Sequence, residues 1–211
     1  MLKSFMLFTL LFLAGYPNVI HSAESSSDVP EYTLGSPGQF KTAASYEHAL
    51  RVWTTPEDIN GWIAVNFSYD TARALRLSET QRTKNDGFSI YSPSEFFNTK
   101  TGVCVDLSRF GVETLRRIDP RTDPKYLMIE FDPMQIQGNT LRLHWVVSFK
   151  RDGKTYFFCD STRPGYIAGP YNETREFIQD YERYRGRKIM AFREVQSYEK
   201  QRRTKLLRDK T

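Results

Sequence analysis

Three residues, taken in chain order, could run thiol chemistry together: Cys104, His144 and Asp160. Catalysis by a thiol needs a thiolate, a base to generate it and a group to orient that base. Cys104 opens the run "CVDLSRFGVETLRRI", in which Leu107, Phe110, Leu115 and Ile118 share one side, so the spacing predicts a helix that begins at the cysteine. At a helix N-terminus the unpaired backbone N–H groups and the helix dipole stabilise a thiolate. The same N–H groups can hold a developing oxyanion. Gly102 just before it would let a substrate backbone come close. Two histidines follow residue 23: His48, in "SYEHALRVW", reads as a surface or packing residue, and His144 falls on an alternating, strand-like segment.

"LRLHWVVSFKRDGKTYFFCDST" reads as two strands around an Asp-Gly turn, the strongest hairpin signal in the chain. A three-residue loop, Arg151-Asp152-Gly153, would pair Lys150 with Lys154 and set His144 directly across from Asp160, within reach of an imidazole–carboxylate hydrogen bond. The other face would then carry Leu143, Trp145, Val147, Phe149, Phe157 and Cys159 as a core face. A two-residue turn is the alternative, and it would exchange the faces, putting Asp160 among apolar side chains and Cys159 beside His144. The cost of burying a carboxylate favours the three-residue loop. In that register Cys159 is a small core hydrophobe, although a Cys104–Cys159 disulfide is the only pairing two cysteines offer in an exported chain. Cys, His and Asp spaced singly lack a close-set ligand pair, so no metal site is expected.

The elements that must position these residues follow from local signals. Thr54 or Thr55 with Pro56 and two acids starts a helix whose Ile59, Trp62, Ile63 and Phe67 should face a core. Residues 71 to 90 are polar and read as surface loop. Ser92, Pro93 and Glu95 make a second helix start, with Phe96 and Phe97 as packing residues. The cysteine helix stops at Asp119-Pro120, and "KYLMIEF" (125–131) reads as a strand. "YNETREFIQDYERYRGRKIMAF" mixes helical and strand cues.

The 211-residue length suits one domain with trimmings, and 39% hydrophobic residues are enough for a core. Lys3 followed by the apolar stretch Phe5 to Ala14 reads as an export signal, too short to span a bilayer, with cleavage after Ala23 or at Ser22. An uncleaved membrane anchor is the alternative. The expected organisation is a signal over 1–23, a Ser-, Pro- and Gly-rich arm over 24–45, the domain over 46–180 and a basic tail over 181–211. Residues 182–211 hold eleven Lys/Arg against four acids, so of the net charge of +5 the tail carries +7 and the rest about −2. Tyr181, Tyr184, Phe192 and Tyr198 are interspersed with these charges. Such a tail suits an anionic surface, and no nucleic-acid motif accompanies it.

A cysteine at a helix start, a histidine on one strand and an aspartate on the next resembles the transglutaminase-like superfamily of papain-type thiol enzymes. The matching text is "SPSEFFNTKTGVCVDLSRFGVETLRRI", then "LHWVVSFKRDGKTYFFCDST", with "INGWIAVNFSYD" similar to the family's helix-then-tyrosine lead-in. The resemblance spans Ile59 to Thr162. It implies an α+β fold in which the helix carrying the cysteine packs on an antiparallel sheet. Cys104 would be the nucleophile, His144 the general base and acid, and Asp160 the orienting carboxylate. Asp106 matches an acidic position common two residues after the cysteine. The bacterial proteinase-like branch carries Gly-Asp-Cys-Glu-Asp and brings calcium as the one cofactor to consider; here Val103 and Val105 occupy the first two acidic places. The resemblance assigns neither Trp62 nor Tyr91 as the family's aromatic oxyanion helper, and "CDSTRPGYIAGPY" does not map onto it. The function implied is an exported cysteine peptidase, amidase or transglutaminase-type acyltransferase acting on protein or peptide amides. A non-catalytic binding domain of the same fold is the alternative.

Overall fold

The computed structural model describes residues 40–82 and 88–199. The export signal, most of the expected arm and the last twelve residues of the basic tail lie outside the described residues.

The first helices form where their caps predict. Ser45 accepts the His48 N–H at the start of α1 (Tyr46–Val52). Thr55 and Asp58 form a reciprocal capping box on α2 (Pro56–Asn66), with Pro56 in its first turn. Ile59, Trp62 and Ile63 are buried along α2, and Phe67 is buried just past its end. A two-residue strand, β1 (Ser68–Tyr69), follows. The segment expected as surface loop then folds into two short helices, α3 (Thr71–Arg76) and α4 (Glu79–Arg82). Asp70 caps α3 by accepting the Arg73 N–H. Arg73 itself is buried, because a partner far along the chain neutralises it.

Ser92 and Glu95 cap α5 (Pro93–Thr99), whose Phe96 and Phe97 are buried as expected. The chain turns at Lys100 into β2 (Thr101–Gly102), parallel to β1, and enters α6 (Cys104–Ile118). Gly102 has a role the sequence reading missed. A Cβ there would come within 2.9 Å of Phe96 and 3.1 Å of Asp106, so the space it leaves is filled by the protein's own packing and not by substrate.

Five antiparallel strands form the sheet: β3 (Lys125–Ile136), β4 (Asn139–Arg151), β5 (Lys154–Phe158), β6 (Ala168–Tyr171) and β7 (Ile189–Val195), in spatial order β6-β5-β4-β3-β7. α7 (Thr174–Arg185) packs on one face and the earlier helices on the other, so the sheet is buried on both sides. The domain therefore runs past residue 180. Tyr181 is fully buried in the core under α7, and β7 is an edge strand paired to β3. These residues read as tail because their apolar positions are interleaved with charges on a half-exposed helix and edge.

The hairpin register differs from the expected one. Asp152 and Gly153 both take left-handed backbone angles, φ 50° and 72°, giving a two-residue turn of the kind that matches strand twist. Val147 consequently faces Phe158, and Phe157 faces Ser148. Alternation could not choose between registers, since a sheet covered on both faces offers a core to either phenylalanine. Phe158 joins the core under α6 and Phe157 the core under α7, against Phe177 at 3.8 Å between ring centroids.

What rescues the site is Cys159. Strand β5 ends at Phe158, and Cys159 takes φ 59°, a left-handed conformation costly for a side-chain-bearing residue. The reversal sends the Cys159 side chain into the core beneath α6 and returns Asp160 to the His144 side. The two cysteines are not bonded to each other, so the disulfide alternative is not formed. Burial, with the Asp160 charge beside it, pushes the Cys159 thiol well above its ordinary pKa. A Cβ on Gly111 would lie 2.3 Å from the Cys159 sulfur and 3.0 Å from Val147. Gly111→Ala is expected to destabilise the fold by about 1–3 kcal/mol through overpacking, and Cys159→Ala in that background should recover most of it, as urea melts of the two variants would show.

Candidate active site

The start of α6, the middle of β4 and the turn after β5 converge on one cleft of about 290 Å³, lined by Cys104, His144, Ser161 and Thr162 among others. Cys104 is the first residue of α6, where the helix N–H groups have no intrahelical acceptor. Its exposure is 9% and that of His144 is 7%, so both side chains are largely shielded from solvent where they line the cleft.

His144 Nε2 lies 3.1 Å from Asp160 Oδ1, and this bond fixes the imidazole. With a carboxylate on Nε2, the proton of a neutral ring belongs on that nitrogen and Nδ1 keeps the lone pair of a base. One face of the ring stacks on Tyr181, at 5.9 Å between centroids and 17° between planes. Asp160 is itself held by an Asx-type turn: Oδ1 also accepts the Thr162 backbone N–H at 2.9 Å and its hydroxyl at 2.8 Å, while Oδ2 accepts Arg163 Nε at 3.2 Å. Burial alone would raise the Asp160 pKa. The hydrogen bond from His144, the charge that ring carries when protonated, and the positive charges of Arg163 and Arg185 outweigh it and hold the carboxyl well below the usual range.

Asp106 has its role in the backbone of the same helix start. Its Oδ2 accepts the Val103 N–H at 3.0 Å and so fixes the residue immediately before Cys104. Arg73 pairs with both oxygens, Nε to Oδ2 at 2.7 Å and Nη2 to Oδ1 at 2.8 Å. Burial opposes the Arg73 charge, but the bonds to Asp106 and its negative charge prevail and raise the guanidinium pKa.

The structure thus brings Cys104, His144 and Asp160 to one place, and leaves His48 away from it, on α1, where its Nδ1 accepts the Ala44 N–H. Trp62 stacks on Phe97 in the core and is no oxyanion donor. Tyr91 packs against Arg73, whereas Tyr69 lines the cleft. The segment that did not map supplies Thr162 and Arg163, the partners of Asp160. Its signal was a threonine two residues after an aspartate, the spacing of an Asx turn.

A thiol at a helix start, an imidazole on a strand and a carboxylate that orients it, built from helices on an antiparallel sheet, define a transglutaminase-like domain of the papain type. The chain belongs to the transglutaminase-like domain family, which it matches over residues 47–190. Two solved structures of Legionella pneumophila LapG are similar to it, the calcium-bound form with a TM-score of 0.35 and a second with 0.34; each is 22% identical and the match covers 53% of this chain and 54% of LapG. The chain therefore spans about half the length of those structures. No curated protein matches it in sequence.

Proposed function

We propose that the protein is a cysteine peptidase or amidase with Cys104 as nucleophile, His144 as general base and acid and Asp160 as the orienting carboxylate. The observation that carries this reading is the meeting of a helix-terminal thiol and a carboxylate-fixed imidazole in one cleft. His144 Nδ1 takes the Cys104 proton, and the sulfur attacks the amide carbonyl carbon. As the C–N bond breaks, His144 gives that proton to the leaving amine, and a thioester remains on Cys104. The N–H groups at the start of α6 stabilise the intermediate oxyanion. Water, deprotonated by His144, then releases the acid and restores the thiol. Transfer to an amine in place of water is the transglutaminase outcome, and product analysis with added amine separates the two.

Leu77, Phe88, Ile90, Leu141, Leu143 and Trp145 line the cleft walls, and among the described residues Cys104 and His144 are the ionisable lining groups besides Tyr69 and Tyr198. The substrate is accordingly a peptide or protein whose segment next to the scissile amide is uncharged and apolar. Export through residues 1–23 would place it in the periplasm or outside the cell. The basic C-terminal run would hold it on anionic surfaces, which salt-dependent retention on an anionic matrix tests.

The deciding experiment is alkylation of Cys104 by iodoacetamide against pH in a Cys159→Ala background. The expected midpoint lies well below the free-thiol value of about 8.5 and moves up in His144→Ala. An ordinary or inert thiol in the folded protein would overturn the triad.

A further inference from the structure

We infer that Arg73 is a built-in cation that organises the Cys104 end of α6, so that assembly of the nucleophile is independent of calcium. The inference rests on the reading of Cys104 as nucleophile.

A calcium ion needs six to eight oxygen ligands at about 2.3–2.6 Å. At the cysteine helix the residues do not fit one. Val103 and Val105 flank the nucleophile and offer no carboxylate. The acid that remains in the first turn, Asp106, is fully buried and its acceptor capacity is used up. Oδ1 takes Arg73 Nη2 and the Tyr91 N–H at 2.9 Å; Oδ2 takes Arg73 Nε and the Val103 N–H. Two bonds on each oxygen occupy the in-plane lone pairs a metal would use. Among the described residues no group of three His, Cys, Asp or Glu gathers that could hold a metal ion.

The guanidinium does what a bound cation would do there. Besides its fork on Asp106 it donates to the Ser89 carbonyl at 2.7 Å and lies 3.7 Å from the Tyr91 ring centroid. It thereby ties α3, the 88–91 segment and the start of α6 together. The same junction is closed from the backbone, where the Asp70 N–H donates to the Gly102 carbonyl at 2.9 Å. The electrostatic consequence matters more for chemistry. A buried carboxylate two residues from Cys104 would oppose a thiolate, and the Arg73 charge cancels it. Arg73 is therefore a positioning residue: it acts on the reaction through Asp106 and the backbone of Val103.

The test is the pH profile of Cys104 alkylation on the full chain carrying Cys159→Ala, measured in calcium chloride and in EGTA. The wild-type midpoint and melting temperature are expected to be the same in both. Arg73→Met should raise the midpoint by at least about one unit, which slows alkylation near neutral pH about tenfold. Arg73→Lys, keeping the charge without the fork, should recover part of that loss. Adding Asp106→Asn to Arg73→Met should bring the midpoint back towards wild type, since no carboxylate is left to oppose the thiolate. A wild-type midpoint or melting temperature that shifts on adding EGTA overturns the proposal, as does a folded Arg73→Met protein with an unmoved midpoint. If Arg73→Met does not fold, the double variant decides: a midpoint raised as far as one unit there overturns the charge argument. An ordinary thiol in the wild type is a separate result, visible before any variant is made, and it overturns the nucleophile reading instead.

Discussion

Asp160→Asn is expected to lower turnover by about 10²–10⁴-fold while leaving the backbone in place. Asparagine matches the shape of the aspartate, and with its oxygen in the Oδ1 place it can still accept from Thr162. Its amide nitrogen, however, is a donor. Turned towards His144 Nε2, it would require a lone pair on that nitrogen and move the proton to Nδ1, where the thiol needs a base. Turned the other way, it presents an oxygen without the charge that stabilises the imidazolium formed when Cys104 loses its proton. Either arrangement weakens the thiolate–imidazolium pair, so the alkylation midpoint of Cys104 should rise together with the fall in turnover.

The same substitution has a stability signature with a definite sign. The folded-state pKa of Asp160 is depressed, by its bond to His144 and by nearby positive charge prevailing over burial. Its contribution is fully present above the unfolded carboxyl value of about 3.9 and is lost as pH falls below that towards the depressed native value. At neutral pH Asp160→Asn should cost about 2–3 kcal/mol, the loss of charge-assisted bonds to His144, Thr162 and Arg163. Between about pH 4 and pH 2 the gap between wild type and variant should narrow, because only the wild type carries this acid-sensitive group. Urea melts at neutral and acid pH measure it; a gap that stays constant would mean the Asp160 charge contributes nothing to the fold.

The reach of the sequence follows from how local each signal is. Cys104 at a helix start, the capped starts of α2 and α5 and the Asp-Gly hairpin were legible because each is written within a few neighbouring residues. Cys104, His144 and Asp160 could be named as candidates for the same reason. The favoured three-residue register is not the one that forms, because both faces of the sheet are buried and alternation carries no preference. The expected His144–Asp160 contact forms all the same, by a left-handed residue at Cys159 that a non-glycine sequence does not announce. Arg73 read as part of a polar loop because its partner is Asp106, 33 residues on, and nothing near position 73 records the pairing. Tyr181, which stacks on His144, was hidden by the charges around it.

That non-local pair sets the other large effect. Asp106→Ala should destabilise the protein by about 3–5 kcal/mol, since it leaves the Arg73 guanidinium, with a side chain 4% exposed, buried without its counter-charge. It also strips the Val103 and Tyr91 N–H groups of their acceptor, and both bonds fix the chain near Cys104. Replacing both members costs less than removing one: Arg73→Met with Asp106→Asn discharges the pair, and the asparagine oxygen can still accept from the backbone. More than half of the Asp106→Ala loss should therefore be absent from the double variant, because a buried ion pair owes much of its apparent strength to the penalty of breaking it. Urea midpoints of wild type, Arg73→Met, Asp106→Asn and the double variant complete the cycle. Additive losses would mean that Arg73 and Asp106 support the helix start independently, whereas a double variant close to wild type would mean that the pair chiefly fixes geometry and charge at Cys104, with little net contribution to stability.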